Sequence, residues 1–149
     1  MRPRNNWLIT GGWLSLAAAL LHVVCIFGGA DWYRYFGAGE EIALAAERGD
    51  WTPHVLTLGI AAVLALWAAY AFAGAGLIRR IPLVRTALVA ISAIYLVRGL
   101  IVLWPSAWNR PDLSTDFMIW SSAIVLVYGV VYAVGTWRAW PYLSKRKSV

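Results

Sequence analysis

Charge is the scarcest property of this 149-residue chain, and it is missing from particular places. Asp, Glu, Lys and Arg make up 13% of the residues, against roughly 25% in an ordinary soluble domain. Four apolar stretches, 7–28, 54–78, 83–104 and 117–137, contain no carboxylate at all. The single cysteine, Cys25, rules out an internal disulfide and any multi-cysteine metal site, and its expected role is a small buried filler. The only two histidines, His22 and His54, lack the spacing of a helical metal pair. Their depths along the helices differ by ~10 Å, which disfavours a shared axial haem. A zinc site built from either histidine with Glu40 or Glu41 is a weak alternative, since imidazole and carboxylate are suitable ligands. Glu40 and Glu41 are adjacent and diverge by ~100° on a helix, so they do not form an acid/base couple. No phosphate-cradling glycine loop and no Ser–His–Asp arrangement is present. No metal and no cofactor is expected.

What is abundant is apolar sequence, 61% of residues, with a mean hydropathy of +0.65. Runs of ~20 apolar residues match a ~30 Å hydrocarbon core at ~1.5 Å per residue. The expected fold is all-α: one integral-membrane domain, an antiparallel four-helix bundle with spans at 7–28, 54–78, 83–104 and 117–137. The first span follows the basic MRPR and could resemble a signal peptide, but it outlasts a usual apolar h-region and no small-residue cleavage site follows it. Lys and Arg set the expected orientation. Nine of the thirteen basic residues fall at the N-terminus, in or just after the second connection (Arg79, Arg80 and Arg85), or in the tail at 138–149. All seven carboxylates fall in or beside the other two connections. Both termini are therefore expected to be cytoplasmic, in a bacterial inner membrane. The net charge of +6 is explained without nucleic acid.

Aromatic belts fit this layout. Trp7, Trp137, Trp140 and Tyr142 mark one edge, and Trp32, Tyr33, Trp51, Trp104, Trp108 and Trp120 the other. The loop 29–53 is expected to carry a short helix, Glu40–Arg48, with acids at its start and Arg48-Gly49 at its end. At ~9 residues it is too short to span, so it lies at the interface or lids the bundle. Thr52 is the expected cap before Pro53, Pro105 the stop of the third span, and Ser114 or Thr115 the cap of the fourth.

His22 and Arg98 each lie seven residues from the exoplasmic end of their spans, ~10 Å deep. A central arginine costs ~2.5–3.5 kcal/mol to insert. Two readings follow for Arg98: it snorkels to outer headgroups, or it meets His22 under a carboxylate folded in from Asp31, Glu40 or Glu41. Small residues Gly11, Ser15, Ala18, Cys25 and Gly29 share a helix face with His22, a surface suited to close helix approach. Mid-membrane aromatics Trp67, Tyr70, Tyr95, Tyr128 and Tyr132 either wall an apolar pocket or fill the core and donate to backbone carbonyls.

In layout the chain resembles the EXPERA group, which includes the emopamil-binding sterol isomerase. The likeness lies in the helix number, His22 late in the first span, the long aromatic and acidic first loop, Tyr70-Ala71-Phe72 before a basic connection, and the basic tail. That group works through carboxylates at a sterol-sized cavity. The spans here hold none, so no catalytic residue is carried over. Three functions are weighed. The first is a binding or accessory protein for a lipid-like, anionic amphiphile or hydrophobic small molecule, with ligand contacts from His22, Arg98, Glu40, Glu41, Asp31, Trp67, Tyr95 and Tyr128. The second is an oligomeric transporter or channel subunit, joined through the Gly11/Ser15 face. The third is a membrane enzyme with His22 as acid/base.

Overall fold

The computed structural model describes residues 4–104 and 113–144. Arg2, Pro105, Trp108, Arg110, Asp112, Lys145, Arg146 and Lys147, on which parts of the sequence reading fall, lie outside the described residues. Among the described residues the chain forms five α-helices: α1 (Asn6–Tyr35), α2 (Glu40–Glu47), α3 (Thr52–Ala75), α4 (Val84–Leu100) and α5 (Thr115–Leu143). A 3₁₀ turn, Ile101–Leu103, extends α4. Four of these helices are long and apolar enough to cross a membrane, the make-up of an integral membrane four-helix bundle.

Helix ends follow local chemistry. The Asn5 side chain accepts from the Leu8 amide and caps α1. Ser114 does the same for α5 through Phe117. The cap of α3 differs from the expectation: Trp51 is the N-cap residue, and Asp50 accepts from both the amide and the hydroxyl of Thr52. A short aspartate side chain reaches two residues ahead more readily than Thr52 reaches its own first turn. α3 also stops three residues before Ile78. Gly76 takes a left-handed conformation, φ 79°, and the Gly76 and Leu77 amides bond back to Ala73 and Phe72, the two bonds of a Schellman ending. α5, by contrast, runs past Trp137 into the stretch read as tail and reaches Leu143.

α1 is bent where the first span was expected to end. Gly29 has φ 66° and ψ −153°, a region essentially closed to residues with a Cβ. Beyond it, Ala30–Tyr35 forms a short arm that leads into α2. The arm carries Tyr33, expected in an aromatic belt, into the interior, where it is 3% exposed and packs edge-on against His54. A phenol ring laid between the arm and the start of α3 gains more burial there than at a wet interface.

α1 packs along α3, and α4 along α5. Contacts of α1 with α5 and of α3 with α4 close a four-sided bundle in which α1 and α4 are diagonal. Small residues set the close approaches. A Cβ on Gly99 would lie 2.6 Å from the Leu126 backbone, and one on Gly129 would lie 2.9 Å from the Leu96 backbone nitrogen, so α4 and α5 interlock reciprocally. The outer surface is apolar, with Phe27 at 84% exposure and Trp13 at 61%, as lipid contact requires.

Gly99→Ala is expected to destabilise the bundle by ~1–3 kcal/mol, because backbone cannot give way as a flexible side chain can. Gly59→Ala, where an added Cβ meets nothing within 4 Å, is expected to be neutral or stabilising. Thermal melts of both variants in mild detergent check the contrast.

Candidate functional site

Halfway along the bundle the mid-membrane aromatics come together around Ser15. Its hydroxyl bonds the Tyr132 hydroxyl at 2.8 Å and the Tyr95 hydroxyl at 3.0 Å. Tyr132 also lies 3.3 Å from the Trp67 carbonyl, and Tyr128 donates to the Leu14 carbonyl at 3.1 Å. The Tyr95 ring stacks against Trp67, Tyr128 and Tyr132 with centroids 5.0–5.4 Å apart. The structure therefore joins Trp67, Tyr95 and Tyr128 as one packed cluster whose hydroxyls are spent inside the chain. Gly11 and Ser15, read as a contact between copies, are filled within the same molecule: a Cβ on Gly11 would sit 2.9 Å from the Tyr132 ring, and Ser15 is fully buried.

The lid formed by the arm and α2 carries its own counter-charge. Arg34 bonds both oxygens of Glu40, at 2.8–3.2 Å. It also pairs with Glu47 at 2.7 Å and Asp31 at 3.6 Å. Among the described residues the ion pairs of Asp31 and Glu40 go to Arg34 and none goes to Arg98; Glu41 is exposed outside this cluster. The physical reason is desolvation. Arg34 offers the same charge at the wet end, whereas reaching Arg98 would take a carboxylate into apolar surroundings. The three-residue spacing of Asp31 and Arg34 on one helical arm was the available signal.

Arg98, on the last turn of α4, is exposed on the bundle flank and donates from Nη1 to the buried Ser122 hydroxyl at 3.4 Å. His22 is half-buried, with Nδ1 2.8 Å from the Ala18 carbonyl. A carbonyl only accepts, so Nδ1 is the donor and Nε2 keeps its lone pair in the neutral ring. His22 and Arg98 lie on the diagonal helices and share no hydrogen bond. Among the described residues no three His, Cys, Asp or Glu side chains converge as a metal site would require.

Sequence reasoning missed three features. The Tyr33 hydroxyl and His54 Nδ1 are buried beneath the lid without a hydrogen-bond partner. An open groove of about 540 Å³ between α4 and α5 runs past Ala93, Ala133 and Trp137. A recess of about 340 Å³ lies at the end of the bundle that carries the termini, bounded by the start of α1, the end of α3 and the last turns of α5.

No family model, curated protein or solved structure matches the chain. The layout likeness to the EXPERA group thus rests on helix order and composition alone.

Hydrogen bonds from Arg34 hold the Glu40 carboxyl below its ordinary range. The amide and hydroxyl of Thr52 do the same for Asp50. Such groups stabilise the fold fully above their unfolded pKa, and the contribution is lost as pH falls through the depressed values. Acidification from about pH 5 to about pH 2, from the ordinary carboxylate range down through the depressed values, is expected to loosen the lid. The protection factors of the Glu40–Glu47 amides, taken relative to the slower intrinsic exchange in acid, then fall, and Arg34→Gln removes the Glu40 part of that step. In the core, a double-mutant cycle of Ser15→Ala with Tyr132→Phe is expected to give a coupling of ~0.6–1.7 kcal/mol, read from unfolding in detergent.

Proposed function

We propose that the protein is a binding or accessory protein that holds the anionic head of a lipid-like amphiphile at Arg98, from the outer leaflet of a bacterial inner membrane. Both termini are cytoplasmic and the lid is exoplasmic in this reading. The orientation is supported by charge: Arg4, Arg79, Arg80, Arg85 and Arg138 cluster at one end, and the lid end holds Asp31, Glu40, Glu41, Glu47, Asp50 and Asp116. That is the asymmetry with which cytoplasmic loops are marked.

The observation that carries the reading is Arg98 itself. A guanidinium has five N–H donors, and here one of them makes a single long bond to Ser122. The remaining donors lie on a flank that faces lipid, one span-end from the headgroups. A phosphate oxygen is the acceptor that such a flank meets, and pairing there offsets the cost of inserting the charge. The ligand approaches from the bilayer side rather than through the closed aromatic cluster. Asp31 and Glu40, bound to Arg34, are not its partners, and His22 takes no part. Gly11 and Ser15, buried inside the bundle, lend no support to an oligomeric transporter.

Native mass spectrometry of the full chain released from membranes tests this. Arg98→Leu is expected to reduce anionic-lipid adducts about tenfold, the worth of one charge-assisted hydrogen bond. Arg98→Lys is expected to retain part of them. Equal adducts in wild type and a folded Arg98→Leu protein would refute the reading.

A further inference from the structure

We infer that the recess at the termini end is a second, separate site, which binds a phosphate-bearing anion between Arg4 and Arg138. It does not depend on the reading of Arg98, which lies at the other end of the bundle.

The recess exists because the helices end at different heights. α3 stops at Gly76, while α5 continues to Leu143 and α1 begins at Asn6. The missing last turn of α3 leaves a space of about 340 Å³, within the ~300–1,000 Å³ of small-molecule sites. Its walls are held in place: the Asn5 side chain donates to the Gly135 carbonyl at 2.7 Å, tying the start of α1 to α5. Arg138 is steered over the Trp7 ring, 5.7 Å from its centroid.

Arg4 and Arg138 both border this space. Neither forms an ion pair among the described residues. Among the described residues every Asp and Glu side chain lies in or next to the connections at the lid end, so none of these acids neutralises the two guanidiniums. The opening turn of α1 adds partial positive charge on the same wall. Two guanidiniums bordering one cavity match the several oxygens of a phosphate, which accepts from planar N–H forks. Trp7 and Tyr142, also on the rim, are the residue types that settle at headgroup depth. The phosphate of a phospholipid and free phosphate share this chemistry.

The test uses the full chain carrying Arg98→Leu, so that binding at the first site is suppressed, in zwitterionic micelles. It is titrated separately with short-chain phosphatidic acid and with inorganic phosphate, and adducts are followed by native mass spectrometry. Arg4→Gln and Arg138→Gln are each expected to weaken binding about tenfold, one charge-assisted contact. Arg79→Gln removes the same charge from the neighbouring exposed connection and is expected to change binding less than about twofold. Binding of phosphatidic acid alone assigns a lipid headgroup; binding of inorganic phosphate with the same variant pattern assigns a soluble anion. Equal losses in all three variants, or no binding of either probe, overturns the site. If Arg138→Gln fails to fold, Arg4→Gln decides, because Arg4 precedes α1 and packs in no helix.

Discussion

The hydroxyl of Ser15 is bonded to two tyrosines from two other helices, and the bundle is arranged so that this can happen. In an apolar solvent a buried hydroxyl without a partner is costly, so the rotations of α1, α4 and α5 are bound together at one point. The bond to Tyr95 reaches across the diagonal, between helices that otherwise touch little. Tyr132 has room only because Gly11 has no side chain. Tyr132 in turn meets the Trp67 carbonyl and brings in α3. The four long helices are thus registered by one small residue, and the aromatic cluster around it is a product of that register.

A core closed in this way moves the chemistry outward. In the proposed reading ligands meet the periphery: an arginine on the bundle flank, and a recess left by a helix that ends early. The lid does not supply acids to the membrane interior. It neutralises itself through Arg34, which acts as the hub of the loop much as Ser15 does for the bundle. Charge and hydroxyl chemistry are each satisfied locally, at their own depth.

Much of the fold was legible because single-helix properties decide it. The four apolar spans, the serine start of α5 and the acidic start of α2 depend on neighbours in sequence. Arrangement between helices was harder to read. Depth placed His22 and Arg98 at one level, yet level is one coordinate, and the rotation about the bundle axis that separates α1 from α4 cannot be counted along a helix. Tyr95 and Tyr132 were visible as inward candidates, but that Ser15 would take both required knowing three rotations at once. Gly76 is a familiar helix terminator, and it was hidden by the apolar Leu77-Ile78 that follows and prolongs the hydrophobic run. The recess of Arg4 and Arg138 was illegible for the same reason, since it depends on where α3 stops.

The bend in α1 has a mechanical side. Gly29 works as a fixed joint, and Tyr33 lies about 6 Å beyond it at 1.5 Å per residue. A swing of about 30° there would carry the Tyr33 ring about 3 Å away from His54, well beyond what a close-packed seat tolerates. A residue with a Cβ would not hold the observed angle, and nothing lies within 4 Å of position 29 to resist the new one. The lid is therefore aimed by a lever whose pivot leaves open space where a Cβ would be: its failure would be felt at the far end, as an unseated tyrosine.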